Sequence, residues 1–373
     1  MVEGHSVTQV GPDVPMAAIE VVDPAVIARL PDDVQVISLK PHGFSFWTRT
    51  ARLDTRLSSG SHVSYFLKTT SGELGRNMVH SEHTSMSMIH DLKPFLVPKP
   101  LAWGSYTTIP DVHFLLCEFR PMKNELPEDI DGLAKAVAEF HKASLGNQTR
   151  ISAPADKKYG FDLPTYHGNV PIHHGWANTW EGYFARTTRH LLSMELESRG
   201  PWGAITLQKD DMASGGGGGG RGGPSEIEDL DQDIIIDLFF NRVVPRLLRP
   251  LEANISPVLI HGDLWHGNAG VDSSTDQAVI FDAASFWAHN EYELAVWRQP
   301  WNQISNGHRL CYHRYFPQSE PAGEYDDRNL LYSTRVNILD SILYKDDPSY
   351  RTSYMFAMRG LVDKFSGEVA TPA

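Results

Sequence analysis

Between Pro257 and Ser285 two short apolar runs, Pro257-Val258-Leu259-Ile260 and Ala278-Val279-Ile280-Phe281, alternate with two polar segments. The first is His261-Gly262-Asp263-Leu264-Trp265-His266-Gly267-Asn268, the second Asp282-Ala283-Ala284-Ser285. Short apolar runs bounded by turn residues predict buried strands. With the turn-rich stretch Asp272 to Asp276 they predict a β-hairpin-like element. Polar residues at the ends of buried strands sit on rigid backbone, so Asp263, Asn268 and Asp282 are predicted to converge. Two carboxylates and an amide are hard oxygen donors, suited to a cation and to an acceptor hydroxyl. The pattern restricts the chain to folds that bring two strand ends together.

The rest of the chain supplies room for such a fold. Its 373 residues suffice for about two to three structural units with their own core. Hydrophobic residues are 41% and charged residues 21%, a globular balance far from the signature of disorder. The net charge of −13 repels phosphate backbones and anionic lipid, so neither nucleic acid nor membrane is an expected partner. No apolar stretch reaches the roughly 20 residues of a membrane span, and no basic segment leads into an apolar run at the N-terminus. Two cysteines, Cys117 and Cys311, without C-x-x-C spacing, argue against a disulfide framework and for a reducing, cytoplasmic setting.

Residues 1–34 read as a loosely ordered leader, with one short helix from Pro24 to Leu30 capped by Asp23. A β-rich unit follows. Phe46 to Leu53 and Ser64 to Lys68 predict a hairpin around Ser58-Ser59-Gly60-Ser61, Gly75 to Ile89 a helix, and His113 to Phe119 a strand ended by Arg120-Pro121. Lys68 is placed at a strand end and Glu82 on the helix. After Pro127 the pattern turns helical, clearest from Asp131 to Leu145, so the boundary falls near 120–130. Gly215 to Gly220 belongs to a low-complexity insert at about 209–226, expected to be a mobile loop.

Asp263 and Asn268 have the offset of Asp and Asn in the H-R-D-L-x-x-x-N loop of protein kinases, and Asp282 stands where the Asp of D-F-G does. Lys68 and Glu82 match the strand Lys and helix Glu that orient nucleotide phosphates. Other chemistries lack their motifs. There is no G-x-x-x-x-G-K-[ST] and no G-x-S-x-G, and His80-Ser81-Glu82-His83 fits neither zinc spacing H-E-x-x-H nor H-x-x-E-H. The polyglycine run satisfies G-x-G-x-x-G only because it satisfies any glycine template. His173, His174 and His313 read as surface or packing residues.

His261 to Asn268 together with Val279-Ile280-Phe281-Asp282-Ala283-Ala284-Ser285-Phe286-Trp287-Ala288-His289-Asn290-Glu291-Tyr292-Glu293-Leu294-Ala295 resembles the signature of the fructosamine kinase / protein-ribulosamine 3-kinase family, in a fungal-type form. Val97-Pro98-Lys99-Pro100, Tyr159-Gly160-Phe161 and Asn178 to Phe184 extend the resemblance to about residues 35–365. It implies an α+β, two-lobed protein-kinase-like fold: an N-lobe over 35–121 and a mainly helical C-lobe over 122–373. It also implies an ATP- and Mg2+-dependent kinase acting on the sugar hydroxyl of ketosamines, small or protein-bound, a deglycation-type activity. Asp263 is then the catalytic base, and Asn268 and Asp282 the metal ligands. Lys68, Glu82, Gly43 of the loop His42 to Trp47, and the hinge Glu118-Phe119-Arg120 would serve the nucleotide. Trp265 offers an aromatic wall for the sugar, as does Trp287, while His289 and Glu291 fall in the substrate-side segment. Two departures stand out: the family's F-D-P-A-S is Phe281-Asp282-Ala283-Ala284-Ser285, and the nucleotide loop has one glycine and no cysteine. A small-alcohol or aminoglycoside phosphotransferase would share Lys68, Asp263, Asn268 and Asp282; a nucleotide-binding pseudokinase is the remaining alternative.

Overall fold

β-Branched and aromatic residues from Val34 onward build a five-stranded antiparallel sheet in the computed structural model, which describes residues 13–43, 45–123, 126, 130–146, 157–200, 202 and 232–365. The glycine-rich insert at 209–226 lies outside the described residues. After a short helix α1 (Pro24–Ile27), the strands are β1 (Val34–Pro41), β2 (Arg49–Leu57) and β3 (His62–Ser71), then, beyond helix α2 (Gly72–Leu92), β4 (Pro100–Ser105) and β5 (Val112–Glu118). Their order is β1-β2-β3-β5-β4. β3 is therefore central, and its period-two alternation separates two buried faces. Tyr65 and Leu67 join Ala51, Leu53, Phe114 and Leu116 on one side; Phe66 packs with Leu115, Cys117 and Val79 of α2 on the other. Lys68 shares the second side and lies within β3, not at its end.

The first face explains a correction. Residues 13–34, expected to be loosely ordered, are its cover: Val14, Ala18, Ile19, Val26 and Leu30 are buried in that core. An apolar sheet face cannot be left to water, and this segment supplies its cover. Asp23 pins the cover. Its carboxylate caps α1 through Ala25 N–H (2.8 Å) and accepts from Thr107 N–H (3.0 Å), Thr108 N–H (2.8 Å) and both threonine hydroxyls.

The chain passes to the second lobe through β6 (Met122–Lys123). There it runs through α3 (Ile130–Gly146), four short strands β7 (Tyr159–Phe161), β8 (Thr165–His167), β9 (Val170–Ile172) and β10 (Gly175–Ala177), and α4 (Trp180–Arg199). α5 (Gln232–Leu238) continues through a π-helical turn into α6 (Val244–Leu248). Next come β11 (Val258–Ile260), β12 (Ala269–Asp272), β13 (Ala278–Ile280), β14 (Phe286–Ala288) and α7 (Asn290–Glu293). Three helices complete the lobe: α8 (Asn306–Tyr315), α9 (Tyr325–Leu343) and α10 (Ser349–Phe365). Trp180, Tyr183, Phe184, Trp287, Trp297 and Tyr332 are fully buried at its centre.

The expected hairpin between the runs at 257 and 278 does not form. β13 pairs with β12, which also pairs with β6, whereas β11 pairs with β14 in a separate sheet ordered β10-β7-β14-β11. The loop from His261 to Asn268 thus bridges two sheets and is anchored at both ends. Strands β7 to β10 have three residues each, too short to show an alternation. Cys117 and Cys311 are both buried and unpaired, and no described helix is long and apolar enough to cross a membrane.

Replacing Asp23 by alanine removes the α1 cap and strands the Thr107 and Thr108 donors, for an expected loss of about 2–4 kcal/mol. A fall in chemical-denaturation stability smaller than about 1 kcal/mol would show that residues 13–34 are only loosely attached.

Candidate active site

Gly262 opens the site. At φ +87° it turns the chain where a Cβ would meet the Ala284 carbonyl at 2.2 Å, so only glycine allows the two polar segments to touch. Glu293 holds that turn: its buried carboxylate accepts from the backbone N–H of His261 and of Gly262 (3.0 Å). Ala284 N–H donates to His261 O (2.9 Å). The His261 ring accepts from Asp263 N–H at Nδ1 (3.3 Å) and donates from Nε2 to Phe281 O (2.9 Å). That pairing requires the neutral ring, and burial lowers its pKa accordingly. Trp297 Nε1 donates to Leu264 O (2.9 Å), and Phe281 N–H to Asn268 O (3.0 Å). Each end of the loop is thereby tied to the segment carrying Asp282.

Asp263 faces three neighbours. Asn268 Nδ2 donates to its backbone O (2.8 Å) and to its Oδ2 (3.1 Å), which aims the amide oxygen Oδ1 away from the carboxylate. His167 Nδ1 lies 3.3 Å from Oδ1. Burial alone would raise the Asp263 carboxyl, but His167, His261 and Asn268 hold it below the ordinary value. His167 is a site residue that sequence reasoning missed, because β8 carries no motif. Its neighbour Gly168 (φ +56°) is covered by the Trp47 ring, which a Cβ would approach to 2.7 Å. The loop before β2 therefore rests on the hairpin that supplies His167. Trp265 is half-buried beside Asp263; its ring covers Gly267 and meets Trp301 edge-on at 6.0 Å.

From the other lobe Lys68 Nζ reaches Glu82 (2.8 and 2.9 Å) and Asp282 Oδ1 (2.7 Å). Burial would lower the Lys68 ammonium, but the two carboxylates hold its pKa well up; burial likewise pushes Glu82 up against the pull of Lys68. Asp282 takes φ +58°, a left-handed conformation that Asp and Asn tolerate better than most residues. Its side chain is 44% exposed to the cleft, where that of Lys68 is 8% exposed. Asn268 Oδ1 and the Asp282 carboxylate are the oxygen donors here. Among the described residues no three His, Cys, Asp or Glu side chains converge as a cation cage, so a cation would draw further ligands from a bound substrate, the habit of Mg2+.

Two donors of the hinge are already engaged: Glu118 N–H donates to Lys99 O (2.8 Å) and Phe119 N–H to Ser64 O (3.2 Å). Arg120 ties the strand end to Phe95 O (2.9 Å) and to Glu118 (3.2 Å), while the Phe119 ring lies under Arg52 (4.5 Å). Gly43 (φ +79°) forms the turn before β2, where the Thr50 hydroxyl donates to His42 O.

The model of the fructosamine kinase family matches residues 52–206 and 232–345. The chain belongs to the fructosamine kinase family. A relative from Oryza sativa subsp. indica, protein-ribulosamine 3-kinase, chloroplastic, is 30% identical over 236 residues, 62% of this chain and 55% of the relative. The chain thus spans about half the length of the rice relatives it matches. The ketosamine-3-kinase of Mus musculus is 27% identical over 266 residues, 68% of this chain and 75% of the relative. A solved structure from Thermobifida fusca YX-ER1, provisionally named a fructosamine-3-kinase, superposes with a TM-score of 0.62 at 18% identity, covering 88% of this chain and 94% of that one. A thermostable mutant of aminoglycoside phosphotransferase APH(4)-Ia, solved with AMP-PNP and hygromycin B, gives 0.50 at 15% identity, covering 91% and 95%. These two likenesses establish the two-lobed, kinase-like α+β fold.

In this member of the fructosamine kinase family, two residues expected on the substrate side are interior. His289 is fully buried, its ring nitrogens bonded to Tyr332 (2.9 Å) and Ser319 (2.8 Å). Glu291 is equally buried in an ion pair with Arg328 (2.9 Å) and accepts from Ser319 N–H (2.7 Å). Both ring nitrogens of His289 and both oxygens of Glu291 are thus engaged within the interior. Trp287, inside β14, is also sealed off. Two unanticipated carboxylates matter instead: Glu293 and Asp340, whose Oδ2 is buried without a hydrogen-bond partner among the described residues. Burial raises the Asp340 carboxyl well above its ordinary value, and the nearby Asp263 charge adds to this.

Burial holds the His289 pKa at about 4 against an ordinary 6.5. Below about pH 6.5 the unfolded chain takes up a proton that the folded chain refuses until about pH 4, so stability falls across that window, by about 3 kcal/mol from this residue. His174 and His261, also lowered by burial, act in the same direction. His289→Gln is expected to flatten the dependence of denaturation midpoint on pH between 6.5 and 4; an unchanged slope would exclude His289 as a source.

Proposed function

We propose that this chain transfers the γ-phosphoryl group of ATP to a sugar hydroxyl of a ketosamine, the adduct of a sugar with an amine such as lysine, as a deglycation-type kinase. One observation carries the phosphoryl-transfer part: Lys68 and Glu82 of one lobe meet Asp282 of the other, beside a loop in which Asn268 fixes Asp263. Phosphoryl transfer asks little covalent chemistry of a protein and much positioning of charge. Lys68 is placed for the phosphates once nucleotide engages Asp282. Asn268 Oδ1 and Asp282 would hold Mg2+, which when bound neutralises the phosphate oxygens. Asp263 orients the acceptor hydroxyl, and its depressed basicity suits accepting the proton late, as the hydroxyl oxygen bonds to phosphorus. The Arg120 N–H, which has no acceptor among the described residues, is the donor left on the hinge for adenine.

The ketosamine part rests on family membership and on the names of the matched relatives. The half-buried Trp265 beside Asp263 suits the sugar. For the amine, Asp340 replaces Glu291: its Oδ2 is buried without a hydrogen-bond partner among the described residues, and an ammonium beside it would favour its charged form. A small-alcohol or aminoglycoside-type acceptor is the second reading, favoured only by the fold shared with APH(4)-Ia. The reading extends to a reducing cytoplasm, supported by two unpaired buried thiols.

Incubation with Mg-ATP and a panel of fructoselysine, ribuloselysine, an aminoglycoside and choline tests the proposal; transfer to neither ketosamine would reject it. Asp263→Asn is expected to lower kcat by about 10²–10⁴-fold with little change in KM for ATP. Asp282→Asn, which keeps a residue tolerant of positive φ, is expected to abolish transfer in a folded protein, as judged by circular dichroism and turnover at saturating Mg-ATP. Asp340→Asn is expected to raise KM for a ketosamine about tenfold without moving KM for ATP; equal effects on both would remove Asp340 from the acceptor side.

A further inference from the structure

α2 presents two sides. Glu82 faces Lys68, whereas Arg76, His80 and His83 face β4 and the chain after α1. On that outer side lies a cavity of about 500 Å³ lined by Arg29, Arg76, His83, Trp103 and Ser105 with the backbone of β4. The size falls within the range of small-ligand clefts, well above the room needed for water alone. Its named lining holds two guanidinium groups and an imidazole and no carboxylate, in a chain of net charge −13. Among the described residues neither Arg29 nor Arg76 has an ion-pair partner. Trp103 forms a rigid wall: His80 stacks on it at 4.3 Å and the Arg76 guanidinium stands 5.8 Å from its ring.

Unpaired arginines around a concave site recognise planar or tetrahedral oxyanions through paired N–H groups. We propose that this cavity is a second binding site, separate from the cleft, for a phosphate ester the size of a sugar phosphate or a nucleoside monophosphate. Arg29 and Arg76 grip the phosphate from the chain after α1 and from α2, and Trp103 lines the organic part. The leader thereby gains a binding role beyond covering the sheet. An occupant linking the α1 segment and β4 to α2 fixes the helix that carries Glu82, so occupancy is felt at Lys68.

The test keeps the cleft filled. Full-length protein saturated with Mg-AMP-PNP is titrated calorimetrically with fructose 6-phosphate and, separately, with adenosine monophosphate; the stronger binder identifies the source of the phosphate. Saturable binding at one site per chain is expected, weakened about tenfold or more in Arg76→Ser and in Arg29→Ser and retained in Asp263→Asn. In turnover assays Arg76→Ser is expected to keep the basal rate but to lose any effect of the ester on KM for ATP. Absence of saturation up to about 10 mM, binding indifferent to both arginine variants, loss in Asp263→Asn, or equal displacement by inorganic sulfate would each overturn the site. Because the binding measurement needs no acceptor, it stands or falls independently of the ketosamine assignment.

Discussion

A buried ammonium organises this molecule. Lys68 sits within the central strand of the small lobe, almost wholly removed from water, and a charge so placed is tolerated only when paired. Glu82 supplies one partner from α2 and Asp282 supplies the other from the second lobe. One pair thus fixes the helix on the sheet, and the other fixes the lobes on each other. The same arrangement leaves Asp282 partly exposed in the cleft, where it can meet a ligand. One cluster holds helix, sheet and second lobe together, and losing Lys68 would leave two carboxylates facing each other.

The second constraint is backbone packing at Gly262. Two loops from different sheets pass so closely that a single Cβ would collide with Ala284 O, and the N–H groups turned inward there need an acceptor. Glu293 provides it. Two residues away in sequence, Glu291 does something unrelated, neutralising Arg328 in the interior of the large lobe. Together they show how one acidic stretch stabilises both the loop from His261 to Asn268 and the helical core.

The small lobe shows how a cover becomes part of a domain. Its sheet buries both faces, and the proline-containing segment 13–34 closes the face that α2 does not. Asp23 binds it to the loop after β4 through four donors of Thr107 and Thr108, while a fifth, Ala25 N–H, caps α1. Trp47 then carries the influence of this lobe to Gly168 and hence to the neighbourhood of Asp263.

That Asp263, Asn268, Asp282, Lys68 and Glu82 would come together was legible in the sequence, because the offsets between them and the elements that carry them are local properties of the chain. The long helices and the β2–β3 hairpin were legible for the same reason, since periodicity is local. Partnership was not. Whether β11 pairs with β13 or β14 depends on which strand lies beside it after the lobe has packed, and each is only three residues long. His167 entered the site because β8 folds back under the loop, with no motif to announce it. His289 and Glu291 carried the right chemistry and the wrong environment: a sequence names a carboxylate or an imidazole, but burial and partners decide whether it faces a substrate or an arginine. Spacing determined which groups could act, and tertiary packing determined which were left free to do so.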